Sequence, residues 1–132
     1  MQQLTGTIIT REFNSVPVLH RMAAPVSGQA YWDYPSADAV ALGVIVGFDQ
    51  NSAAPYMAQI QINSVVQIES DGSGAIAAGD PIAAAASGKA KKRAKADGTT
   101  TRNWIGYAHN AAAATAGLLV DVQIAVHSAS NT

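Results

Sequence analysis

The chain has 132 residues and a formal net charge of −1; 48% of its residues are hydrophobic and 13% are charged. This length is typical of one domain with its own core, and the near-neutral charge gives no bulk attraction to nucleic acid or to anionic lipid. Cysteine is absent, which excludes disulfide scaffolds, thiol catalysis and thiolate metal sites.

Residues 1–38 contain Pro17, Pro25, Gly28 and Pro35 between short apolar stretches, and they predict an extended N-terminal arm with loops. Residues 7–10 form a short strand candidate, and residues 31–34 hold a large share of the aromatic side chains. Such a cluster fills a core or a protein interface more often than it stacks on a sugar. The predicted protein-interface residues are Leu4, Ile8, Ile9, Phe13, Tyr31, Trp32 and Tyr34. The alternative is a soluble carbohydrate- or host-surface-binding module that uses Tyr31, Trp32 and Tyr34.

Alternation of apolar and polar residues predicts strands over the rest of the chain. Residues 59–68 and 118–127 alternate with a period of two, as half-buried strands with one solvated face do. Residues 40–48 are almost continuously apolar and predict a more deeply buried strand. Within it, Gly43 and Gly47 are expected to mark bulges or close contacts.

Dense turn signals separate these segments and indicate a small barrel or sandwich. The alanine-rich residues 111–116 are also compatible with one helical turn, although the run is too short to be stable alone. The predicted fold class is all-β: a small antiparallel β-barrel or sandwich over residues 39–127. The extended N-terminal arm precedes it, and residues 128–132 form a flexible tail.

A basic cluster holds five of the eight lysine and arginine residues: Lys89, Lys91, Lys92, Arg93 and Lys95. One hypothesis is a phosphate-binding ribbon. The other is a solvated hairpin face, or an edge strand whose lysines prevent pairing with other sheets. No aromatic residue lies between these charges to stack on bases, which favours the second hypothesis.

No catalytic or metal-binding pattern emerges from the titratable residues. His20, His109 and His127 lie far apart and lack the spacing of metal ligands. Most aspartates lie in turn sequences, and neither a nucleophile elbow nor a phosphate loop is present. We therefore expect no enzymatic activity, no metal and no cofactor.

The order of motifs in the second half of the chain is more specific than any one motif. Residues 74–82 read Gly-Ala-Ile-Ala-Ala-Gly-Asp-Pro-Ile, residues 87–90 read Ser-Gly-Lys-Ala, and residues 105–108 read Ile-Gly-Tyr-Ala. A turn ending in Gly117 and the valine-rich residues 119–124 follow. This order resembles the small capsid decoration proteins of tailed bacteriophages, also called cement or head-stabilisation proteins.

The resemblance implies a compact β-domain on the outer surface of a tailed-phage head. Many copies would lie at junctions between major capsid subunits and resist the pressure of the internal DNA. The implied partners are the major capsid protein and copies of this chain on the capsid lattice, with neither nucleic acid nor membrane bound. The implied location is the capsid surface of a virion assembled in the host cytoplasm. Monomer, dimer and trimer all stay open.

Overall fold

The structure, a computed structural model, describes residues 6–49, 53–93 and 101–130. The described strands are β1 (Ile8–Phe13), β2 (Met22–Pro25), β3 (Trp32–Asp33), β4 (Gly43–Phe48), β5 (Tyr56–Gln61), β6 (Val65–Glu69), β7 (Pro81–Ala84), β8 (Ala90–Lys92), β9 (Thr101–Ala108) and β10 (Leu119–Ser130). A short 3-10 turn, Ala86–Gly88, joins β7 to β8. The all-β prediction is confirmed. Within the described residues, no helix is long and apolar enough to cross a membrane.

The first five strands form a closed barrel in the order β1-β3-β2-β4-β5, with β5 paired again to β1. Its pairings are antiparallel except between β1 and β3, which run parallel where Phe13 meets Trp32. Alternate side chains point into the barrel. The buried core of this barrel consists of Phe13, Ala23, Ile45, Ala58 and Ile60.

The second five strands form a sheet in the order β6-β10-β9-β7-β8. Ser70, directly after β6, pairs in parallel with Ala90 of β8, so this bridge brings the two edges of the sheet together. Buried β-branched side chains fill its interior, as strand alternation requires. They include Val66, Ile68, Ile82, Ile105, Val120, Val122 and Ile124.

The two sheets have the same topology. When β6–β10 are counted as strands one to five, both sheets follow the cyclic order one-three-two-four-five. In both, the first and third strands meet in parallel and the other neighbours are antiparallel. The chain is therefore a tandem repeat of one five-stranded unit: a first repeat (residues 6–62) and a second repeat (residues 65–130). The sequence predicted one undivided β-domain.

The strand registers assign equivalent residues in the two repeats. Met22 pairs with Val44 in the first repeat, as Pro81 pairs with Tyr107 in the second. The same correspondence holds along the other paired strands as far as the register shifts after Ile45 and after Ile124. The equivalent pairs that matter below are Ile8 and Val65, Glu12 and Glu69, Met22 and Pro81, Gly43 and Gly106, Val44 and Tyr107, and Gln61 and Gln123.

One glycine occupies the same close contact in both repeats. A Cβ on Gly43 would lie 2.8 Å from the carbonyl oxygen of Gln61, and a Cβ on Gly106 would overlap the carbonyl oxygen of Gln123. Because the fourth and fifth strands approach so closely here, only a residue without a side chain fits. This confirms the predicted close contact at Gly43. The predicted irregularity at Gly47 is also present, as a register shift after Ile45.

The prediction of an extended N-terminal arm is wrong. Strands β1, β2 and β3 lie within residues 1–38, and they supply three of the five strands of the first barrel. They are two to six residues long and separated by proline- and glycine-containing turns, so no long alternation marks them. At the other end, residues 128–130 continue β10 within the segment predicted as a tail.

Residues 59–68 are two strands rather than one. Ser64, whose φ is 63°, lies between β5 and β6, and the two strands belong to different repeats. Apolar alternation continues across this turn, which is why the sequence pattern shows no break. The predicted strand at 118–127 is confirmed, but Leu118 and Val126 are 40% exposed instead of buried. A register shift beyond Ile124 turns Val126 outward.

The alanine-rich residues 111–116 form no helix. Ala112 instead pairs with Ile76 in an isolated bridge, and both residues belong to the core of the second repeat.

Candidate interface surfaces

One of the predicted interface residues, Phe13, belongs to the core of the first repeat, and Tyr34 is partly buried against it. Phe13 is 1% exposed, and Tyr34 packs edge-on against it with ring centroids 4.9 Å apart. The Tyr34 hydroxyl donates a hydrogen bond to the carbonyl oxygen of Val16 at 2.7 Å. Phe13 therefore offers little surface to a binding partner, although it contributes to the wall of a cleft beside Tyr31. Leu4 lies outside the described residues.

The other predicted residues lie on β1 or beside the start of β3. We call β1 together with its junction to β3, where Phe13 meets Trp32, the first seam. Ile8 is 50% exposed, whereas Ile9 and Trp32 are partly buried against the barrel core. Tyr31 lines a cleft of about 300 Å³ at this seam, together with Glu12. An interface role for these four residues stays a prediction. A carbohydrate platform loses support, since Trp32 and Tyr34 pack against the core instead of lying open for stacking.

Burial raises the pKa of the Tyr34 hydroxyl above its ordinary value near 10. The folded chain therefore holds this proton more tightly than the unfolded chain, so folding stability falls as pH rises through and beyond 10. We expect unfolding midpoints in urea to decline between pH 9 and 11 more steeply for the wild type than for Tyr34→Phe, which has no such proton. Equal slopes for the two proteins would contradict this account.

The basic cluster is largely neutralised by its own surroundings. The described members pair as follows: Lys91 with Asp38 at 3.0 Å, Lys89 with Glu69 at 3.4 Å, Lys92 with Asp80 at 3.7 Å, and Arg93 over the Trp104 ring at 4.4 Å. Lys95 lies outside the described residues. Paired cations attract phosphates less than unpaired ones, because binding must compete with the carboxylates. This arrangement favours the solvated-edge hypothesis over the phosphate ribbon.

The histidines do not converge on a site. Within residues 6–49, 53–93 and 101–130, no group of three His, Cys, Asp or Glu side chains could hold a metal ion. His20 lies in the loop before β2 with φ at 68°. Its backbone N–H donates a hydrogen bond to the carbonyl oxygen of Ile45 at 3.0 Å. His127 stacks on Trp104 with ring centroids 5.2 Å apart. The absence of enzymatic activity stays a prediction.

The sequence did not indicate the aromatic surface on the outer side of β9. Trp104 and Tyr107 both contact the ring of His127, at 5.2 and 6.5 Å between centroids, and Arg93 covers the indole. Residues three apart on a regular strand point to opposite faces. Trp104 and Tyr107 nevertheless contact the same ring, beside the register shift between Ile124 and His127 of β10, so alternation along β9 alone does not predict the cluster.

A comparison of the sequence with known protein families finds no match, and a comparison with curated proteins finds none either. Among solved structures, the fold is similar to the crystal structure of the head fiber gp8.5 N base in bacteriophage phi29. The two chains are 20% identical, the TM-score is 0.65, and the similarity covers 92% of this chain and 95% of the other. A protein of a bacteriophage head thus has the fold of this chain over nearly its whole length.

Proposed function

We propose that this chain is a structural protein of a tailed-phage virion that binds the outer surface of the capsid and stabilises the shell against internal DNA pressure. The observation that carries the proposal is the fold shared with the phi29 head fiber base over 92% of this chain. The motif order in residues 74–124 resembles the capsid decoration proteins of tailed phages. Both observations support a structural role on a phage head.

The surface supports a binding role that does not depend on a deep pocket. Large apolar side chains are exposed at several separate places: Ile8, Val16, Val18, Leu19, Val40, Tyr107, Leu118, Leu119 and Val126. A protein that binds a repeating lattice in many copies gains avidity from geometry, so each contact can be modest. The proposed partners are the major capsid protein and neighbouring copies of this chain. The proposed location is the outside of the capsid.

The test is to mix the purified chain with expanded heads that lack decoration proteins. We expect the chain to sediment with the heads and to raise the temperature at which they release DNA. Serum albumin at the same concentration controls for nonspecific protection. Failure to sediment with heads, or binding that leaves the release temperature unchanged, would contradict the respective half of the proposal.

A further inference from the structure

The two repeats are joined by an apolar face of the first. Met22 of β2 and Val44 of β4 are both 0% exposed, yet they belong to the core cluster of the second repeat. Their chain neighbours Ala23 and Ile45 point the other way, into the first barrel. The outer side of β2 and β4, which we call the first docking face, therefore packs against the second repeat.

This face covers the place where β6 approaches β8, which we call the second seam. The His20 carbonyl accepts a hydrogen bond from the Glu69 backbone N–H at 2.8 Å, and the Arg21 guanidinium lies 3.4 Å from the Glu69 carboxylate. On the β8 side, Gly88 packs so tightly that a Cβ would lie 2.7 Å from the carbonyl oxygen of Met22. The second seam is thus closed by the first docking face.

The equivalent seam of the first repeat has no such cover among the described residues. Ile8 is 50% exposed, while its equivalent Val65 is only partly exposed beside the first docking face. The turn between β2 and β3 contains Gly28 with φ at +76°, as the corresponding turn contains Gly88 with φ at +74°. A Cβ on Gly28 would meet no atom within 4 Å, and the 300 Å³ cleft lies beside Tyr31.

The equivalent docking face of the second repeat is also uncovered by the part of the chain that the structure describes. Pro81 and Tyr107 stand where Met22 and Val44 stand in the first repeat. Val44 is 0% exposed, whereas Tyr107 is 38% exposed and belongs to the aromatic surface of β9. Within residues 6–49, 53–93 and 101–130, one docking face and one seam therefore have no counterpart packed on them.

We propose that copies of this chain associate head to tail, with the second docking face of one copy packed on the first seam of the next. The occupant is a second copy because each open surface corresponds to one that already packs inside the chain. The ion pair between Arg21 and Glu69 is not repeated at this contact, because Asp80 stands at the position equivalent to Arg21 and is itself paired with Lys92 at 3.7 Å.

Such a contact joins two different surfaces, so it closes into a ring or continues as a filament. This inference does not rest on the proposed function, because it concerns the purified chain in solution. Tyr107→Asp places a charge on the second docking face, and Ile8→Asp places one on the first seam, so each variant disrupts one side of the contact. Both side chains are exposed enough for the fold to persist.

Sedimentation of the full chain tests the proposal. We expect the wild type to exceed the monomer mass of 13.6 kDa and each variant to be monomeric at the same concentration. An equimolar mixture of the two variants retains one intact docking face and one intact seam, so it should form a dimer and stop there. Leu118→Asp is the matched control, because Leu118 is 40% exposed and lies outside both surfaces; it should assemble like the wild type.

Three results would overturn the proposal: a monomeric wild type at all concentrations, variants that assemble like the wild type, or a variant mixture that stays monomeric. Circular dichroism of each variant confirms that the comparison concerns folded protein. Binding to phage heads is measured separately, so failure of self-association and failure of capsid binding are distinguishable.

Discussion

Gly106→Ala is expected to lower the free energy of unfolding by about 3 kcal/mol or more, at the upper end of what overpacking costs. The new Cβ would overlap the Gln123 carbonyl oxygen and lie 2.8 Å from its carbonyl carbon. Both atoms belong to the backbone of β10, which is held by β6 and β9 on its two sides, so the strand cannot move aside. This loss is a large share of the roughly 5–15 kcal/mol that stabilises a typical domain.

Gly74→Ala provides the control for Gly106→Ala. A Cβ at Gly74 meets no atom within 4 Å, and the backbone there needs no positive φ. We expect urea denaturation curves to show Gly74→Ala within about 0.5 kcal/mol of the wild type. Gly43→Ala should be intermediate, since part of its contact is with the side chain of Ile60, which can adjust. Equal stability of the Gly106 and Gly74 variants would contradict the close approach of β9 and β10.

The all-β class followed from the sequence because alternation and turn residues are local signals. The tandem repeat was not found, since equivalent positions carry unlike side chains: Phe13 corresponds to Ser70, and Trp32 corresponds to Ala90. A barrel needs the strand order and the inward alternation, not the same residues. Traces of the repeat remain in residues 58–62 and 120–124, which both end in Gln-Ile. That similarity becomes meaningful only once the registers align the strands.

The burial of Phe13 was not expected from the sequence, for a related reason. Short strands that end in tight turns read as an exposed arm, so their aromatic side chains were placed on a surface. The first barrel is small, however, and two of the five residues in its buried core are alanines, Ala23 and Ala58; Phe13 is the only aromatic among the five. Alanines bury little area, so a large ring is needed to fill the space between them. The exposed aromatic surface instead lies on β9, around Tyr107.

Phe13→Ala is expected to lower the free energy of unfolding by about 3–5 kcal/mol, the usual cost of removing a buried phenylalanine ring. The ring is 1% exposed and packs edge-on against Tyr34 at 4.9 Å, so its loss leaves a cavity and removes an aromatic contact. It also lies where β1 meets β3, the parallel junction that closes the barrel. Urea denaturation measures the change.

Ile8→Ala is the matched comparison from the same strand, because Ile8 is 50% exposed. We expect it to cost less than about 1 kcal/mol in stability, as a half-exposed site does. The same variant should weaken self-association, which Phe13→Ala affects only through unfolding. A stable Phe13→Ala protein that fails to assemble would instead return Phe13 to the interface. The Phe13 variant thus measures the stability of the barrel, whereas the Ile8 variant measures the contact between copies.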